Sequence, residues 1–140
     1  MTWLIVHAAA TWFMVGLIWT IQTVHYPLFA RVGAADFVGY ENEHTTRMAR
    51  LLAVPAGVEI VTGAALVWTR PGEVSLWLVM VAGALLVAIW VTTALVQVPL
   101  HRRLSDEGRG TSLEQLVQSN WFRTGLWTAR GMLVTAMLLV

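Results

Sequence analysis

The residues of this chain best suited to chemistry are three of its four histidines, His25, His44 and His101, each beside a polar segment. Imidazole is the commonest protein ligand for first-row transition metals and titrates near neutral pH. Tyr26, Tyr40, Glu41, Glu43 and Asn120 lie close by in sequence, so the neighbourhood offers nitrogen, carboxylate and amide donors. We take His25, His44, His101, Glu43 and Asn120 as candidate metal ligands, for a transition metal ion (Fe, Cu or Zn) or a haem. No cysteine is present, which removes disulfides, thiolate ligands and iron–sulfur clusters. The basic residues are nine arginines with no lysine, so Schiff-base chemistry is absent too.

A second group is defined by position. Glu59 stands inside a long apolar run, where an ionisable side chain is costly and is either functional or paired. Arg130 is at a comparable depth in the last apolar run, so a Glu59–Arg130 ion pair is expected to pin the two segments together. Glu59, Arg123 and Arg130 are the candidate catalytic residues, with Glu59 moving protons or completing a metal shell and Arg123 orienting a ligand. His7, 18 residues before His25, is about five helical turns away, some 27 Å, and cannot share a mononuclear site with it. A helix-packing hydrogen bond is the expected role of His7, with a second, haem-ligating site as the alternative.

The elements that must position these groups are transmembrane helices. The composition, 57% apolar and 12% charged over 140 residues, does not suit a water-soluble fold of this size. Apolar runs at about 3–25, 46–69, 74–98 and 121–140 each approach the roughly 20 residues that span a bilayer. The expectation is one all-α domain, an antiparallel up-down four-helix bundle, with no internal repeat. Thr69-Arg70-Pro71-Gly72-Glu73 is a tight turn. Asp36 is the expected N-cap of a helical lead-in to the second span, and Thr111-Ser112-Leu113-Glu114 reads as a capping box opening a short surface helix.

Arginines concentrate at the two polar connections, whereas Arg70 stands alone at the tight turn. Basic residues flanking short loops stay cytoplasmic. This predicts a protein of the cell inner or plasma membrane, with both termini outside and both polar connections inside. His25, His44 and His101 then share the cytoplasmic face. Anchoring of helix ends at the headgroup level is the plain alternative for such residues. The near-neutral charge gives no reason to expect nucleic acid.

The strings HYPLF at 25–29, F..Y...H..R from Phe37 to Arg47, VPLHRRL at 98–104 and NW.RT..W..R from Asn120 to Arg130 resemble motifs of a group of small, uncharacterised bacterial four-helix membrane proteins. The resemblance covers nearly the whole chain and implies the fold and the choice of histidines, not a reaction. A fainter likeness joins it to anthrone-oxygenase-like membrane proteins. The segment from His7 to Gly16 also resembles small haem-binding protoporphyrinogen oxidases, whose haem ligands have no counterparts here.

These readings lead to a metal- or haem-binding membrane oxidoreductase acting on a hydrophobic small molecule from the bilayer. The alternatives are a proton-coupled transporter centred on Glu59, with homo-oligomerisation supplying the pathway, and an accessory subunit whose arginine-rich face meets anionic lipid or a partner.

Overall fold

In a computed structural model that describes residues 1–140, the chain is all-helical, with four long rods: α1 (Thr2–Phe29), α2 (Phe37–Thr69), α3 (Leu76–Glu107) and α4 (Thr111–Leu138). Three of them, α1 to α3, are long and apolar enough to cross a membrane. The outer surface is apolar as well: Val61, Leu95, Trp68 and Phe122 are all exposed. On a water-soluble protein a surface of that kind would be an aggregation liability.

Two helices are interrupted in the same way. In α1 the stretch Ile21–His25 widens to a π turn, with Tyr26 N–H bonded to the Ile21 carbonyl. In α3 the stretch Thr93–Gln97 does likewise, with Val98 N–H bonded to Thr93. Each π turn ends two residues before a proline, Pro27 or Pro99. A proline has no N–H for the carbonyl four residues back and its ring crowds that carbonyl, and a widened turn relieves both. Both prolines sit in the same local pattern, Val-x-x-Pro-Leu, at 24–28 and 96–100.

Cross-helix hydrogen bonds fix the register. His7 pairs with Thr62, Thr11 with Glu59 and His25 with His44, so residue numbers fall along α2 as they rise along α1. Trp12 pairs with Thr135 and Trp19 with Thr128 in the same sense along α4. Three apolar clusters fill the interior at successive levels. Leu4, Leu66, Val79 and Met137 lie toward the tight turn, Met14, Ile18, Ile89 and Trp127 at mid-length, and Phe29, Phe37, Leu104 and Leu116 beneath the polar connections.

The connections depart from expectation at two caps. Asp36 precedes α2 as anticipated but makes no side-chain capping bond, and its backbone carbonyl accepts from Tyr40 N–H instead. Thr111-Ser112-Leu113-Glu114 opens the unbroken 28-residue α4 rather than a separate surface helix, and no side chain caps it. Gly108, at φ +77°, makes the bend that ends α3, a conformation that costs glycine little. Arg109 then reaches across to the carbonyls of Ala30 and Val32, closing the end of α1.

The middle of the bundle is tied by one side chain. Arg130 on α4 donates from Nε to Glu59 Oε1 on α2 at 3.1 Å, from Nη1 to the Ala82 carbonyl on α3 at 2.8 Å, and from Nη2 to His7 Nε2 on α1 at 2.9 Å. Since His7 Nε2 accepts, its proton is on Nδ1, which donates to Thr62 Oγ1 at 2.8 Å; that hydroxyl passes its own hydrogen to the Val58 carbonyl. Thr11 adds a 2.7 Å bond to Glu59. Gly63 makes room for the imidazole, because a Cβ there would lie 3.0 Å from His7 Cε1. The expected ion pair is present, and His7 takes its expected packing role.

Removing one partner of a buried ion pair strands the other. Arg130→Ala and Glu59→Leu should therefore each lower unfolding stability in mixed micelles by about 3–5 kcal/mol. The pair Glu59→Leu with Arg130→Met should recover most of that loss. A double variant as unstable as the worse single one would show that the bonds to His7 and Ala82, not the ion pair, hold the helices.

Candidate functional site

The site sits where α1, α2 and α3 meet beneath the polar connections. Glu41 and His44, three residues apart, share one face of α2, as i and i+3 residues on a helix must. His25 comes from the end of the π turn in α1, and His101 from the segment of α3 that follows Pro99. Four side chains from three helices thus form a row. His25 Nε2 lies 2.8 Å from His44 Nδ1, so the two nitrogens share one proton. The His44 and His101 rings stack with centroids 5.5 Å apart, and His101 Nδ1 bonds Glu41 Oε1 at 2.5 Å. Phe29 packs edge-on against both His25 and His44 and fixes their planes.

Glu41 is fully buried, and its second oxygen, Oε2, has no hydrogen-bond partner. A buried carboxylate oxygen left bare is costly. As the side chains stand, no group of three or more His, Asp or Glu is set to hold a metal ion. Imidazole and carboxylate are donor types that a transition metal takes. Two ligands about 2.0–2.2 Å from a shared tetrahedral ion sit roughly 3.3–3.6 Å apart, so opening the 2.8 Å contact between His25 and His44 asks for a shift of about 0.5–0.8 Å.

The other expected site residues fall differently. Glu43 turns outward and pairs with Arg47, its i+4 neighbour, with both side chains well exposed. It borders the cavity of about 490 Å³ over His25 and His44 without bonding to either. Asn120 is buried among amides, where its Nδ2 donates to Gln22 Oε1 at 2.7 Å and its Oδ1 accepts from Arg123 Nη1 at 2.8 Å. It positions Arg123 and makes no bond to the histidines. Glu59 and Arg130 form the separate mid-bundle network, none of whose hydrogen bonds reaches His25, His44 or His101.

Glu41 is the residue that the choice of Glu43 displaced. The signal was present as Glu-x-x-His over Glu41 to His44, the spacing with which di-iron carboxylate bundles present two ligands from one helix. A second cavity, of about 480 Å³, opens on the far side of His44, where His101, Gln97 and Arg123 also line it. No known protein family, curated protein or solved structure matches the chain.

Glu41→Ala should lower stability by about 1–3 kcal/mol, because His101 loses its only side-chain hydrogen bond and a buried space opens. Glu43→Ala, which breaks an exposed i,i+4 pair, should change it by less than about 0.5 kcal/mol. Thermal unfolding of the two variants side by side reads the difference. Equal losses would contradict the placement of Glu41 at the centre.

Proposed function

We propose that this chain is a metal-dependent membrane oxidoreductase, with the metal held by His25, His44, His101 and Glu41 and a hydrophobic substrate drawn from the bilayer. The observation that carries the reading is the row of three imidazoles from three helices ending on a buried carboxylate with one bare oxygen. We favour a non-haem ion. His25 and His44 are in direct contact at 2.8 Å, which leaves no room for a macrocycle between them.

When bound, the ion would supply Lewis-acid or one-electron chemistry at this point. The chain's own residues do the rest. Glu41 orients His101 and would neutralise part of a bound ion's charge, and Phe29 keeps water from one side of the imidazoles. His44 stands between the two cavities, so a substrate in either meets the same side chain.

The proposed setting is an antiparallel up-down bundle of four spans. The falling-and-rising register of the cross-helix bonds supports it. As the fourth span, α4 is less hydropathic than the others because Asn120, Thr124 and Arg130 count against it, yet all three are buried against neighbouring helices. The side it turns outward carries Trp121, Phe122 and Met132. The arginine bias favours polar connections in the cytoplasm and both termini outside.

The test is metal analysis of detergent-purified protein. Close to one equivalent of Fe, Cu or Zn per site should survive in the Glu43→Ala variant and fall at least several-fold in His44→Ala and Glu41→Ala. Metal lost equally in Glu43→Ala, or wild-type protein that takes up none from any of the three ions, would overturn the reading.

A further inference from the structure

Arg123 is a cation without an acid. Its Nη1 donates to the neutral amide of Asn120, and its Nε, buried, has no partner. The ion pairs of the structure are Arg47–Glu43, His101–Glu41 and Arg130–Glu59, and none includes Arg123. The contrast with Arg130, which has both a carboxylate and a carbonyl, is sharp. A charge drawn out of water without a counter-ion is unfavourable unless something else supplies the opposite charge.

What could supply it has a place to sit. Arg123 lines the cavity of about 480 Å³ between α2 and α3, along with Tyr26, Gln97, His44 and His101. Gln97 is 3% exposed; its amide N–H donates to Ser119 Oγ, and its Oε1 is a second buried atom with no partner. Arg123 and Gln97 thus both line the cavity, and each keeps one polar atom without a protein partner. Asp106, the only acid among its lining residues, is exposed, beside Arg102. Toward the membrane interior the wall continues as Met48 and Leu52, which suit an aliphatic or aromatic body.

We infer that this cavity binds a lipophilic carboxylic acid, with Arg123 taking the carboxylate, Gln97 accepting a hydrogen bond from a hydroxyl beside it, and the apolar body lying along Met48 and Leu52. The inference deepens the proposed function by naming the substrate class, and it relies on that reading only for the claim that the bound acid reacts. Arg123 and Gln97 are binding residues here, and the histidines on the same cavity wall face whatever they hold. Anion binding itself needs no metal.

The test is equilibrium binding of radiolabelled decanoate, 2-hydroxydecanoate and decanol to the full chain in nanodiscs of neutral lipid, with metal content measured on the same samples. Saturable binding of about one decanoate per chain is expected, at least tenfold tighter than decanol and at least tenfold weaker in Arg123→Gln. Arg123→Lys, which keeps the charge, should retain most of it, so that loss in Arg123→Gln is not mistaken for misfolding. 2-Hydroxydecanoate should bind several-fold tighter than decanoate, an advantage that Gln97→Leu removes. Decanol binding as well as decanoate, or Arg123→Gln binding like wild type, would overturn the proposal. So would displacement by inorganic phosphate at concentrations as low as those of decanoate, which would assign the site to a free anion. Specific decanoate binding to protein that takes up no metal would refute the oxidoreductase reading alone.

Discussion

Arg130 joins all four helices, and the rest of the bundle is arranged around what that requires. From α4 it reaches a carboxylate on α2, a backbone carbonyl on α3 and an imidazole on α1. Arg130 is 1% exposed, so water does not solvate its guanidinium and each donor needs a protein acceptor. That demand fixes the tautomer of His7, the hydroxyl direction of Thr62 and the need for a glycine at position 63. It also sets the depth at which the helices are locked relative to one another, and through that lock the level at which His25, His44 and His101 meet.

The two polar layers differ in how completely they are satisfied. At mid-depth only Glu59 Oε2 lacks a partner among the bonded atoms of the Arg130 network. Near the polar connections Glu41 Oε2, Gln97 Oε1 and Arg123 Nε are all left bare, around one row of imidazoles and one cavity. A layer that only holds helices together gains by pairing every atom, whereas a layer that receives an ion or a ligand keeps positions open. The prolines contribute to the second layer. Pro27 and Pro99 each force a π turn, and His25 and Gln97 are the last residues of those turns, so both prolines aim a polar side chain at the same end of the bundle.

Much of this was legible in the sequence, and the reasons are physical. Apolar runs of membrane-spanning length announce helices, and Glu59 and Arg130 at matching depth announce a pair, since neither charge is tolerable alone in such a segment. The three histidines were legible by the same counting of depth. The carboxylate beside them was harder. Glu41 and Glu43 are two residues apart and chemically alike, and choosing between them needs the rotation of α2, which also decides that Glu43 faces Arg47 and the surface. The role of Asn120 was displaced for a similar reason: its amide is within reach of Gln22 only because α1 and α4 pack closely, a relation that spacing within α4 does not contain. No side chain caps α2 at Asp36 or α4 at Thr111, and the residues just inside those ends, Phe37 and Leu113, are buried in the apolar cluster beneath the polar connections.

X-ray absorption at the metal edge of loaded protein tests most directly whether three imidazoles and the buried Glu41 carboxylate hold one metal ion. Coordination by about three imidazole nitrogens and at least one carboxylate oxygen at roughly 2.0–2.2 Å, with the oxygen contribution lost in Glu41→Ala, is the expected result. A shell of water oxygens with fewer than two imidazoles would contradict it, and the row of histidines would then serve only to hold the helix ends together.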